Sequence, residues 1–253
     1  MDTPTNQPDL SQPVGKGVRR IQLMDIVPDC EIFVNTEIYD LADICAGKDV
    51  VDIGCGFGRN RPIVESKGGR WVGVEPFEGG AHMVKGDAEN LPFENETFDV
   101  AIMDAVLEHV PQVHKSFEEV ARVLRPGGIF IGYVAFMECF HEISYSHLSF
   151  KAMEHYSNVN GLKLEKIQGG HRFGIDYHLN VLLHPLPFKH FRGLVAWKIR
   201  AWIKLKSKMA WIKLRFRQKK SAAEASTYAD LWYKMECLRL SNGFTYIIRK
   251  PNT

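Results

Sequence analysis

The chain's 253 residues are 45% hydrophobic and carry a formal charge of +2, which suits one large globular domain or two small ones. No apolar run reaches the roughly 18 residues that a bilayer span needs. The five cysteines (Cys30, Cys45, Cys55, Cys139, Cys237) are far apart, odd in number and form no CxxC pair, which speaks against a disulfide framework and a zinc site and makes a reducing cytoplasm the expected compartment.

The polar, proline-rich residues 1–20 are expected to lack fixed structure, with the folded domain over 21–253. Residues 36–46 read as a short amphipathic helix. Apolar runs with strand character follow at 49–53 (DVVDI), 70–74 (RWVGV), 82–84 (HMV), 98–103 (FDVAIM) and 129–134 (IFIGYV). Between the last two, Val113, Phe117, Val120, Val123 and Leu124 recur at helical spacing until Pro-Gly-Gly stops the helix. Strands alternating with helices imply a mostly parallel sheet covered on both faces. Two more strands are expected at 162–167 and 243–250. The link between Glu75 and the strand at 82–84 reads PFEGGA, too short for the dozen or so residues of a helical crossover, so either it is a bare loop or that strand lies elsewhere.

Three glycines in five positions follow the first strand, in VVDIGCGFGRN (50–60). A strand, a glycine-rich turn and a helix aim backbone N–H groups at a ligand. The third glycine of a dinucleotide fingerprint would fall on Arg59, and no Gly-Lys-Ser/Thr follows, so neither a pyrophosphate loop nor a P-loop is present. Asp52, two residues before Gly54, suits a ligand with a positive end. Glu75, at the end of the second strand, can accept both hydroxyls of a ribose. In GDAENLPF, Asp87 can accept from an exocyclic amine and the Ala88 N–H can donate to a ring nitrogen. A ribose, an adenine and a cationic tail together describe S-adenosylmethionine.

In order and spacing, VVDIGCGFG, VGVE, GDAENLPF, TFDVAIMDAVLEHV and SFEEVARVLRPGGIFIG resemble the successive motifs of class I S-adenosylmethionine-dependent methyltransferases over about residues 45–135. They most resemble the type-11 branch, which includes quinone-biosynthesis methyltransferases. The resemblance implies an α/β, Rossmann-like, doubly wound seven-stranded sheet. Its last two strands form an antiparallel edge hairpin with a mostly helical basic insert, about 170–242, between them. It places Asp52, Gly54, Cys55 and Gly56 at the methionine part, Glu75 at the ribose, Asp87 and Ala88 at the adenine, and Asp104 and Ala105 beside the transferable methyl. No metal is implied.

A hydroxyl acceptor must lose a proton. The candidate bases follow the fourth and fifth strands, because ligands bind at the carboxyl ends of such sheets. One is His109 in LEHV, which also reads as structural. The other is the cluster in AFMECFHEISYSHLSF, where His141 is the expected base, with Glu142 or His147 assisting.

From Lys189 to Lys220 there are 12 Lys or Arg and no Asp or Glu, leaving 20 basic against 30 acidic residues elsewhere. From Leu194 to Asn242 there is no glycine or proline, which favours helices, although basic and apolar residues also alternate at a period near two. Trp197, Trp202 and Trp211 lie in the basic stretch. At 194–220 this composition suits an anionic membrane surface, which would put the protein at the inner face of a membrane. Nucleic acid is a weaker fit, and a helical cap with solvated lysines is the plain alternative. The expected partner is a small-molecule, glycan or lipid-linked acceptor. An RNA methyltransferase and a cofactor-binding protein without transferase activity are the rivals. The sequence leaves the oligomeric state open.

Overall fold

The computed structural model describes residues 24, 26–34, 36–77, 83–137, 143–169, 174, 177–179 and 189–252. The described strands are β1 (Glu31–Val34), β2 (Asp49–Ile53), β3 (Arg70–Glu75), β4 (Met83–Lys85), β5 (Phe98–Asp104), β6 (Leu124–Ala135), β7 (Lys163–Gly169) and β8 (Gly243–Arg249). The helices are α1 (Leu41–Ile44), α2 (Arg61–Glu65), α3 (Val113–Val123), α4 (Phe150–Val159), α5 (Lys189–Ile212) and α6 (Ala222–Arg239).

The strands form one sheet in the order β1-β7-β8-β6-β5-β2-β3-β4. Every pairing is parallel except those of β8, which runs antiparallel between β6 and β7. In β2 and β5 the apolar residues are nearly continuous, because both faces of the sheet are covered. On one face Val51, Ile53, Ala101, Met103 and Phe130 join the apolar side of α3, where Phe117 meets Phe130 edge-on at 5.7 Å. On the other, Val50, Val100, Ile102, Ile129 and Ile131 pack with Ile44 of α1 and Val64 of α2. Tyr246 of β8 is fully buried and donates its hydroxyl to the Met103 carbonyl at 3.1 Å, locking β8 across β6 onto β5.

The expected α/β architecture is present with three differences. The sheet has eight strands, not seven: the short EIFV segment adds β1 parallel to β7, so the antiparallel pair of β7 and β8 is not at the edge. Four residues beside an irregular segment carry too little periodicity to read as a strand. The helix expected at 36–46 contracts to α1, because the Asp40 carboxylate accepts the Asp43 N–H and caps it, leaving 36–40 outside the helix. The third strand stands one residue from its expected place, paired with β3 through Val74 and Val84. Its link passes through 78–82, which lie outside the described residues.

The basic insert is helical where described. A π-helical turn (Lys213–Arg217) follows α5. Ser221 then starts α6 with a reciprocal cap, its hydroxyl accepting the Glu224 N–H while the Glu224 carboxylate accepts the Ser221 N–H. Among the described residues no helix is long and apolar enough to cross a membrane.

Candidate active site

The glycine loop leaves the carboxyl end of β2 and is pinned to β3. The Gly54 and Cys55 N–H groups both donate to the Val74 carbonyl, at 2.8 and 3.2 Å. Gly54 has φ +69°, and a Cβ there would lie 2.5 Å from a Val106 methyl, so only glycine fits. Gly56 also has positive φ, but among the described residues nothing lies within 4 Å of where its Cβ would be. That open space over the loop lets a ligand approach the backbone. The Gly56 N–H donates to Glu75 Oε2 at 2.9 Å, which holds the β3 carboxylate against the loop. Asp87 lies just beyond β4, near Glu75 through the Gly86 N–H to Glu75 carbonyl bond, and Ala88 is buried beside it. Its Oδ1 accepts the Glu89 N–H.

Asp52 is 1% exposed and faces inward. Its carboxylate accepts from Trp71 Nε1 at 3.1 Å and from Asn60 Nδ2 at 3.2 Å. Burial pushes its carboxyl up to about 6, against the pull of those two hydrogen bonds. The folded state therefore holds this proton more tightly than the unfolded chain. The stability it confers is complete below about pH 4 and is lost as pH rises through about 6. Relative to Asp52→Asn, the parent is expected to lose up to about 3 kcal/mol between those limits, read by urea unfolding across pH. Equal slopes for both proteins would refute this. Cys55 is also buried, and burial raises its thiol to about 11, so it acts as packing rather than as a nucleophile.

Register sets the floor of an adjoining cavity of about 610 Å³. Asp104 of β5 pairs with Tyr133 of β6, Tyr133 with Thr245 of β8, and Thr245 with Gln168 of β7. Paired residues in a sheet share a face, so these four polar side chains form one row across four strands. Tyr39 and Asp40 wall the cavity beside α1, and Glu108 and Tyr177 also line it. Burial, then the nearby Asp104, keep the Tyr39 hydroxyl protonated. Among the described residues lining the cavity, Arg59 is the only cation, and it pairs with Asp104 at 2.7 Å. Ala105 follows with φ +59°, a strained conformation for a non-glycine residue, at the carboxyl end of β5.

Of the candidate bases, His109 and His147 are among the described residues. His109 Nδ1 bonds the Ile143 carbonyl at 2.8 Å, and His147 Nε2 meets Ser144 Oγ at 3.2 Å. Neither lines the cavity. His141 and Glu142 lie outside the described residues. Glu108, fully buried and adjacent in LEHV to His109, does line the cavity, as do Glu37, Asp40 and Asp104. Among the described residues no cluster of His, Cys, Asp or Glu is arranged to hold a metal.

Residues 51–132 match the family model described as "Methyltransferase domain". This match identifies residues 51–132 as a domain of the class I S-adenosylmethionine-dependent methyltransferases. An uncharacterised methyltransferase of Mycobacterium sp. (strain JLS) is 29% identical over 147 residues, 52% of this chain and 58% of that one. The phthiotriol/phenolphthiotriol dimycocerosates methyltransferase of Mycobacterium leprae is 53% identical over 49 residues, 19% of this chain and 18% of that one. The chain thus spans little more than half the length of the first of these relatives. The crystal structure of the [4+2]-cyclase SpnF superposes with a TM-score of 0.52 at 14% identity, covering 90% of this chain and 88% of that one, and shows the shared fold.

The cofactor of this domain family is S-adenosylmethionine, and the loop fits it. Gly56 leaves room for close approach, and the Glu75 carboxylate stands at the loop.

Proposed function

We propose that this protein transfers a methyl group to a hydroxyl of a neutral, hydroxyl-rich acceptor, either a glycan or a lipid-linked molecule. The observation that carries this reading is the polar row Asp104–Tyr133–Thr245–Gln168 along the cavity, which Glu108 also lines. Carboxylates, phenols and amides in one cavity accept and donate to hydroxyls. Among the described residues the one lining cation is paired to Asp104, so the same lining opposes a phosphate or carboxylate acceptor. This disfavours RNA. The dimycocerosates named for the M. leprae relative are consistent with a lipid branch. A lipid-linked acceptor would place the protein at the cytoplasmic face of a membrane, against an anionic surface.

When bound, the cofactor supplies a methyl already activated on a sulfonium. Asp52, through Asn60 and Trp71, would hold the loop, Glu75 the ribose, Asp87 and Ala88 the adenine, and Asp104 with Arg59 the amino-acid end. Tyr133 and Thr245 would orient the acceptor hydroxyl, and Glu108 would take its proton. His141, after β6, is the second candidate base.

The test uses methyl-labelled S-adenosylmethionine with extract of the source cells, separated into lipid, glycan, nucleic-acid, protein and small-molecule fractions. Label is expected in the glycan or lipid fraction. With that acceptor, Glu108→Gln should lower kcat by about 100-fold or more and leave cofactor affinity unchanged. Unchanged turnover in Glu108→Gln, with loss in His141→Ala, would transfer the base role to His141. Label in RNA, or cofactor binding with no labelled product, would overturn the acceptor reading.

A further inference from the structure

We infer that α5 and the π-helical turn after it are a docking surface for an anionic lipid bilayer, lying in the plane of the headgroups. The inward side of α5 is settled by its packing on α6. Ala196 and Ile203 are buried, and Ser207 Oγ donates to the Ala229 carbonyl at 2.8 Å. The opposite side carries Leu194, Trp197, Trp202, Leu205, Met209 and Ile212, all between 48% and 61% exposed. At 100° per residue Trp202, Leu205, Met209 and Ile212 fall within an arc of about 80° and form a stripe along the second half of the helix, while Leu194 and Trp197 share the first half with the exposed Lys198. Phe216, 68% exposed, extends it into the turn. A water-facing helix would place its charges on this side and keep large apolar residues off it.

From Trp202 onward the charges stand beside the stripe instead. Lys204 and Lys208 flank one side, and Lys206 and Lys213 flank the other, by the same helical arithmetic. Lys206 Nζ lies 5.9 Å from the centre of the Trp202 ring and 5.8 Å from that of Trp232, a cation held over the two rings at the edge of the stripe. With no acidic residue between 189 and 220, nothing within the segment neutralises these cations. An apolar stripe between two cationic rows matches a bilayer interface, where apolar side chains enter the acyl boundary and cations meet anionic headgroups. It does not match a second copy of the same helix, whose like charges would repel across a two-fold interface. Nucleic acid would neutralise the lysines but leave the leucine, methionine and isoleucine in water.

This surface would serve the lipid-linked branch of the function proposed above. Its test runs without cofactor or acceptor, so either reading can fail alone. The full chain is sedimented with vesicles of equimolar phosphatidylglycerol and phosphatidylcholine, and with phosphatidylcholine alone. Binding is expected to the anionic vesicles, weakening as salt screens the lysines, with blue-shifted tryptophan emission. The double variant Leu205→Asp, Met209→Asp should bind them at least about tenfold more weakly. Both positions are exposed, so circular dichroism and S-adenosylmethionine affinity should match the parent. If the aspartates disturb folding, the pair Lys204→Glu, Lys208→Glu reads the electrostatic half alone and should also weaken binding. Failure to bind anionic vesicles, equal binding by a folded Leu205→Asp, Met209→Asp protein, tighter binding to RNA than to vesicles, or dimers abolished by the same aspartates would each overturn the assignment.

Discussion

Gly54→Ala is expected to destabilise the fold by about 3 kcal/mol and to abolish measurable cofactor binding. Two penalties combine. A non-glycine residue at φ +69° carries about 1–2 kcal/mol of backbone strain, and a Cβ 2.5 and 2.8 Å from the two Val106 methyls adds an overpacking cost of similar size. The loop cannot move aside freely, because its amides at 54 and 55 share the Val74 carbonyl. The two penalties can be separated. Val106→Ala in the Gly54→Ala background relieves the contact but not the strain, so the double variant should recover roughly half of the loss. Urea unfolding measures the stability, and calorimetric titration with S-adenosylmethionine measures the site. A Gly54→Ala protein within about 1 kcal/mol of the parent would show that the loop yields more readily than its hydrogen bonds imply.

Glu75→Ala is expected to weaken S-adenosylmethionine binding by about 100-fold or more while leaving the fold intact. A carboxylate receiving two ribose hydroxyls makes two charge-assisted hydrogen bonds of about 1.5–3 kcal/mol each. The same side chain tethers the Gly56 N–H at 2.9 Å, so its removal also frees the loop. Glu75→Gln separates these roles, since its amide oxygen can still accept from Gly56 although the charge is gone. Its affinity should fall between those of the parent and the alanine variant. If Glu75→Gln and Glu75→Ala lose affinity equally, the charge is the whole effect and the tether contributes nothing.

The cofactor half of the molecule was largely legible in the sequence, because its residues lie close together along the chain. Gly54, Gly56 and Glu75 sit at strand ends that hydrophobic runs already marked. The acceptor half was not. Thr245, Gln168 and Tyr133 are neighbours only because β8 enters between β6 and β7, and no local pattern reports that register. Glu108 was hidden by its neighbour: histidine titrates near neutral pH and draws the eye, yet the turn at 107–109 sends His109 to the Ile143 carbonyl and Glu108 to the cavity. Asp52 read as a ligand-facing acid, but its carboxylate faces Trp71 and Asn60. The tryptophan Nε1–H and asparagine amide that receive it stand 19 and 8 residues away, on different elements.

The placement of β8 also orders events during synthesis. Its two partners, β6 and β7, leave the ribosome well before it, with the whole of α5 and α6 translated in between. Until Gly243–Arg249 arrives, the facing edges of β6 and β7 hold unpaired backbone groups, the kind of surface that captures other chains. A nascent chain paused within the helices could therefore close its cofactor loop while having no floor for an acceptor. The first half would be ready to bind, the second open to aggregation, and the last strand would complete both the sheet and the specificity.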